Sequence, residues 1–252
     1  MNDKQTSQSK IPTLAAIIVA AGKSQRMGGA DKQLRSIAGV PVLARTVAAF
    51  EGCEDVGVIV LVLNPDNMTG TAEMKQEYGW TKVKALVPGG ERRQDSVMAG
   101  LKAVVDMGRG GEPYEWVAVH DGARPLVTSG LISRGLDAAQ EVGAAVAAVP
   151  TTDTVKVVDA SRTITATPGR ENLWLVQTPQ VFRVSLLMGA YDALMQDGEQ
   201  IDATDCARML ELMGKPVKVY EGERTNIKIT TPLDLWVAEA IVRGQGSGIG
   251  GH

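Results

Sequence analysis

The chain has 252 residues, 44% of them hydrophobic and 22% charged, the proportions of an ordinary soluble globular protein. A formal net charge of −3 supplies no basic field for a nucleic-acid partner, so each local group of Lys and Arg is judged by its own surroundings. The two cysteines, Cys53 and Cys206, lie far apart and form no CxxC pair, which argues against a disulfide framework or a zinc site and fits a reducing cytoplasmic setting.

Residues 1–11 are polar and are expected to be a disordered tail. Residues 14–20 form an apolar run that reads as a strand. It is too short for a membrane span of ~18 residues, which no run in the chain approaches, and it lacks a clear signal-peptide cleavage site. Further strands are expected at 56–63, 83–87, 116–119 and 144–149. Helices are expected at 41–50, at 91–107, where Val97, Leu101, Val104 and Val105 recur on one face, and around Leu131, Ile132, Leu136 and Ala139. Apolar strands separated by helices predict an α/β fold, with a Rossmann-like, mostly parallel sheet covered by helices on both faces.

The pattern breaks after Pro150. Residues 154–158 and 163–167 alternate polar and apolar side chains around Asp159-Ala160-Ser161-Arg162, which predicts a β-hairpin arm at about residues 151–171 projecting from the sheet. Two strands alone are marginally stable, so the arm is expected to pack on a second subunit. Helices follow at 185–196 and 204–213, and strands at 217–220 and 226–230. A last helix starts at Pro232, with Thr231 as N-cap and Asp234 completing a capping-box-like start. No repeat or long linker divides residues 12–243, which read as one domain. Residues 244–252 read as a flexible Gly-rich tail, whose Gly246, Gly248 and Gly251 imitate a dinucleotide fingerprint without the strand and helix it requires.

Four clusters at strand ends carry candidate chemistry. In VAAGKSQRMGGADKQL (residues 19–34), Gly22-Lys23-Ser24 imitates the end of a P-loop, but the glycine a P-loop needs five residues earlier is Ile17. What remains is a small-residue strand end, Ala20-Ala21-Gly22, followed by the cations Lys23, Arg26 and Lys32. Small residues let backbone N–H groups approach phosphate oxygens, and open α/β sheets bind ligands at this end of their strands. A solvated loop kept for solubility is the plainer alternative. The second cluster, PGGERRQDS (88–96), places two glycines before a helix N-terminus, either a ligand site or a tight turn. In the third, VHDGARP (119–125), Asp121 ends a strand, where a carboxylate either ligates Mg²⁺ bridging nucleotide phosphates or caps the following turn. The fourth, NIKIT (226–230), presents Lys228 and says nothing alone.

Together these segments, with TDTVK (152–156), LVQTPQVF and TDCA, resemble the cytidylyltransferases that make 4-diphosphocytidyl-2-C-methyl-D-erythritol in the non-mevalonate isoprenoid pathway. The likeness runs in the family's order over about residues 12–243. It implies a nucleotide-diphospho-sugar transferase type of fold and transfer of CMP from CTP to 2-C-methyl-D-erythritol 4-phosphate, with Mg²⁺ as cofactor. On this resemblance Ala20, Ala21 and Gly22 contact CTP through the backbone, and Arg26 and Lys32 bind its phosphates. Gly90 and Ser96 line the cytosine pocket. Asp121 lies by the metal and ribose, Arg124 near the acceptor, and Thr178, Thr204 and Lys228 complete the site. Thr154 and Arg170, on the arm, would reach the acceptor in the partner of a homodimer. A phosphate monoester is mostly dianionic at neutral pH, with a second pKa of about 6, so the acceptor is already a nucleophile and no general base is required. The presence of only His120 and His252 is no objection. Two rival readings stay open at this point: ribitol 5-phosphate as acceptor, and a non-catalytic nucleotide-binding relative.

Overall fold

The computed structural model describes residues 14–22, 34–196 and 205–246. In chain order the elements are β1 (Leu14–Ala20), a short pair β2 (Ser36–Ile37) and β3 (Val40–Pro41), α1 (Val42–Glu51), β4 (Val56–Leu63), α2 (Met68–Glu77), β5 (Val83–Pro88), α3 (Arg93–Gly108), β6 (Trp116–Asp121) and α4 (Ser129–Val142). They continue with β7 (Ala144–Pro150), β8 (Val157–Val158), β9 (Ile164–Ala166), β10 (Trp174–Arg183), α5 (Val184–Gln196), α6 (Cys206–Leu212), β11 (Lys218–Glu221) and α7 (Pro232–Gly246).

Seven strands form one sheet in the order β11-β7-β10-β6-β1-β4-β5. β1 pairs in parallel with β4 and β6, β4 with β5, and β11 with β7, while β10 runs antiparallel between β6 and β7. Successive side chains of a strand point to opposite faces. In β1, Leu14, Ala16, Ile18 and Ala20 therefore join α1 and α4 in one buried cluster, and Ala15 and Ile17 join α3, α5 and α6 in the other. A fully buried Leu or Ile contributes about 1.5–3 kcal/mol, and such residues on both faces hold the two helix layers to the sheet. This is the α/β architecture read from the sequence.

The parallel run β5-β4-β1-β6 brings four loops to one edge of the sheet: those following Ala20, Leu63, Pro88 and Asp121. Position along the chain thereby becomes proximity in space, as expected for α/β ligand sites.

Several elements differ from the sequence reading, among them the short pair β2 and β3, which was not expected. β10 was not expected, because Pro179 sits in its middle and cannot donate to a ladder. The strand accommodates it at a register shift between Val176 and Gln180. α2 was also not expected; its sequence, MTGTAEMKQE, buries only Thr71 and Met74 and carries little apolar periodicity. Residues 226–230 read as a strand but form none. They are held as a connection by Ile229 N–H donating to Ala123 O (2.8 Å) and by the Asn226 side chain. The hairpin is present as β8 and β9, shorter than the expected 154–158 and 163–167. The start of α7 follows expectation, with Asp234 Oδ2 accepting from Thr231 N–H at 2.7 Å.

Candidate active site

A cleft of about 710 Å³ opens at the loop-bearing edge of the sheet. It is lined by Val19, Ala21 and Gly22 at the end of β1, by Gly89, Gly90 and Ser96 where β5 leads into α3, and by Asp121 and Lys228. Ala20 turns its side chain into the core and closes the strand. The β5–α3 wall is built by close approach. Gly89 N–H donates to Leu63 O (2.8 Å), and Gly90 N–H donates to Ser96 Oγ (3.1 Å). A Cβ on Gly89 would fall 2.2 Å from Ala21 Cβ, and one on Gly90 would fall 2.4 Å from Asp95 Cβ, so glycine is required for this packing.

Asp121 is the electrostatic centre. Its buried carboxylate faces Lys228 Nζ at 2.8 Å, Arg93 Nη2 at 3.4 Å and Arg124 Nε at 3.7 Å. Burial by itself raises a carboxyl pKa, but here Arg93 and Lys228 more than offset it and hold Asp121 well below the usual carboxylate range. Three cations around one carboxylate leave this corner positive, as an anion site needs. Arg93, Asp121 and Lys228 also line a smaller adjoining cavity of about 180 Å³, together with Arg124 and Thr178.

A buried hydrogen-bond chain fixes Asp121 from behind. Asp121 N–H donates to Thr178 Oγ1 (3.0 Å), so the Thr178 hydroxyl proton is directed to His120 Nδ1 (3.0 Å). The other ring nitrogen, Nε2, then carries the proton and donates to Arg124 O (3.3 Å). His120 is fully buried, and burial pushes its pKa down to about 3, with the pull of Asp121 in the opposite direction too weak to restore it. The ring is thus a neutral strut. Arg124 Nη1 donates to Asn226 O (2.8 Å) and Asn226 Nδ2 to Thr178 O (2.8 Å), which ties the 226–230 segment, and with it Lys228, against the end of β6.

The structure therefore brings together Ala21, Gly22, Gly90, Ser96, Asp121 and Lys228 in the cleft and Arg124 and Thr178 in the adjoining cavity. Thr154 and Arg170 are exposed on the arm and line neither space. Arg26, Lys32 and Thr204 lie outside the described residues. Sequence reasoning gave Arg93 no role, although it stands in a quoted motif. Arg92 and Arg93 are adjacent, but Arg92 is the extended N-cap of α3 and pairs with Asp95 (2.8 Å), whereas Arg93 is the first helical residue and reaches Asp121.

The model of the family described as IspD, 2-C-methyl-D-erythritol 4-phosphate cytidylyltransferase, matches residues 14–244. The chain belongs to this family. A 2-C-methyl-D-erythritol 4-phosphate cytidylyltransferase of Dehalococcoides mccartyi is 45% identical over 230 residues, covering 91% of this chain and 96% of the relative. Two solved IspD-family structures share the fold. The 4-diphosphocytidyl-2C-methyl-D-erythritol synthase of Anaerococcus prevotii superposes with TM-score 0.78 at 29% identity, over 91% of this chain and 96% of the other. The 2-C-methyl-D-erythritol 4-phosphate cytidylyltransferase of Thermus thermophilus gives 0.70 at 34% identity, over 91% and 98%. The chain is thus a nucleotidyltransferase of the IspD family.

Proposed function

We infer that the protein transfers CMP from CTP to 2-C-methyl-D-erythritol 4-phosphate, giving 4-diphosphocytidyl-2-C-methyl-D-erythritol and pyrophosphate. The observation that carries this reading is the cationic corner around Asp121 where the glycine-walled cleft meets a second cavity, because the reaction must bring two polyanions together. The acceptor phosphate oxygen forms a bond to the α-phosphorus of CTP while the bond to the bridging oxygen of pyrophosphate breaks. The chief barrier is electrostatic, and cations aimed at the phosphates lower it through positioning and charge stabilisation. Lys228 and Arg93 stand where the two cavities join. Arg93 offers a planar fork to non-bridging oxygens, Lys228 a compact point charge, and the buried Arg124 holds the Asn226 carbonyl. Backbone N–H groups of the Ala20-Ala21-Gly22 strand end meet the triphosphate, and Arg26 and Lys32 act on the same phosphates. Gly90 and Ser96 flank the base. Thr178 serves the acceptor by fixing Asp121.

Mg²⁺ fits this donor set. Among the described residues no group of three or more His, Cys, Asp or Glu is gathered, so a dedicated protein cage is absent there. Mg²⁺ typically takes one or two carboxylates and completes its shell with substrate phosphates and water, and Asp121 would supply the carboxylate. When bound it neutralises charge on the triphosphate.

The arm supports a homodimer. Val157, Val158 and Ile164 on the arm are 46%, 48% and 58% exposed, and Leu175 of β10 is 56% exposed, apolar surface that a second copy would cover. Thr154 and Arg170 would then serve the partner's acceptor cavity, and Thr204 the chain's own. Residues 12–243 act as one unit on this reading, in a cytoplasmic setting. Among the described residues no helix is long and apolar enough to cross a membrane.

Pyrophosphate release with CTP and 2-C-methyl-D-erythritol 4-phosphate, run beside ribitol 5-phosphate, tests the proposal. Preference for the first acceptor is expected. Release with neither, or only with ribitol 5-phosphate, defeats it.

A further inference from the structure

The smaller cavity is lined by two chemically different sets of residues, the cations Arg93, Arg124 and Lys228 and the pair Gln180 and Asp205. Asp205 caps α6 with one oxygen, Oδ1 accepting from Arg208 N–H at 2.9 Å. The cap does not need the second oxygen, and that oxygen is held separately, with Gln180 Nε2 donating to Asp205 Oδ2 at 3.1 Å. The same amide accepts from Cys206 N–H through Oε1, also at 3.1 Å. Gln180 is 1% exposed, so this buried amide is committed to residues 205 and 206.

A neutral amide orients a carboxylate without cancelling its charge. Among the described residues no Lys or Arg pairs with Asp205, and the nearby Arg208 pairs with Glu211 instead. Asp205 is therefore an oriented acceptor without a cationic partner among the described residues, in a cavity that three cations also line. A molecule with a phosphate at one end and hydroxyls along its chain matches both sets of groups.

We propose that Asp205, positioned by Gln180, accepts a hydrogen bond from a hydroxyl of the acceptor's polyol chain and so selects for that hydroxyl, while the acceptor phosphate lies toward Arg93 and Lys228. This rests on the reading of the acceptor as a polyol phosphate. A site built to bond a hydroxyl rejects an analogue lacking it, because the buried acceptor group is left unpaired.

The test compares wild type, Asp205→Ser and Gln180→Met by initial rates of pyrophosphate release. Ser keeps the α6 cap, and Met keeps the buried volume. The acceptor KM is expected to rise about 10- to 100-fold in Asp205→Ser, the scale of a hydrogen bond to a charged group, with the CTP KM and kcat changed less than about threefold. Gln180→Met is expected to raise the acceptor KM in the same selective way, and it carries the test if Asp205→Ser melts too low to assay. With acceptor analogues each lacking one hydroxyl, wild type should discriminate against one of them, and Asp205→Ser should no longer do so. An unchanged acceptor KM, or acceptor and CTP KM rising together, overturns the proposal. So does an Asp205→Ser enzyme that keeps the wild-type ranking of analogues. A wild-type enzyme inactive with every polyol phosphate would instead overturn the acceptor reading on which this one stands.

Discussion

Replacing Lys228 by Met separates charge at the reacting phosphates from charge that merely holds the fold. In the free enzyme Lys228 Nζ lies 2.8 Å from Asp121 Oδ2, a pair whose gross attraction is about 6 kcal/mol at an effective dielectric of about 20. Little of that is net stability, because the Lys228 side chain is 38% exposed and a screened pair contributes about 1 kcal/mol or less. Asp121 also keeps Arg93 at 3.4 Å and Arg124 at 3.7 Å, so the variant leaves no unpaired buried carboxylate. For a chain of this size the melting temperature should therefore fall by only about 2–4 °C. Turnover is a different matter. Losing one preorganised donor to developing phosphate charge costs about 10²-fold in kcat or more, near 3 kcal/mol of barrier. The assay is kcat and KM from pyrophosphate release beside a thermal melt of the same preparation. A kcat within about threefold of wild type would refute this placement of Lys228. So would a melting temperature lowered far enough that unfolding alone explains the lost activity.

Other outcomes follow from the same geometry. Gly89→Ala forces a methyl to 2.2 Å from Ala21 Cβ, and should raise the CTP KM at least about tenfold by distorting both cleft walls; an unaltered KM would mean the wall does not meet the nucleotide. With only two histidines in the chain, proton NMR can follow His120: its C2–H should hold its neutral position from pH 8 to about pH 5. Because the folded pKa of His120 is lowered to about 3, its unfolded form binds the extra proton between about pH 6.5 and 3, so stability should fall across that window by up to about 1.4 kcal/mol per unit as the solution is acidified. Asp121, also depressed, adds a further loss below about pH 4, and a flat stability profile from pH 6.5 to 4 would contradict the neutral strut. Ile164→Glu, at the tip-ward strand of the arm, should turn a sedimenting dimer into a monomer and cut activity with it; a wild-type monomer at micromolar concentration would remove the shared site.

The helices and parallel strands were legible where one physical signal dominates. β1 and β4 begin and end where their apolar runs do, since both are buried on two faces and need no alternation. β10 was hidden by Pro179, tolerated only because the ladder shifts register there, a fact of pairing that a single strand's sequence does not contain. The site was legible in pieces: glycines before α3 and an acid at the end of β6 are local features with local reasons. Their union was not, since Asp121 and Lys228 meet through bonds from Arg124 and Thr178 to Asn226, contacts between segments far apart in the chain. Short of the family resemblance, Lys228 carried no signal. Gln180 and Asp205 were given no role for the same reason, as an amide and a cap residue look ordinary until they are seen bonded to each other at the edge of a cavity.

The most direct measurement is phosphorus NMR of the purified enzyme with CTP, Mg²⁺ and 2-C-methyl-D-erythritol 4-phosphate. The account predicts that the acceptor's monoester signal and the three triphosphate signals give way together to one diphosphate diester and free pyrophosphate, in equal amounts. Persistence of the monoester while CTP is consumed, or release of inorganic phosphate in place of pyrophosphate, would contradict it.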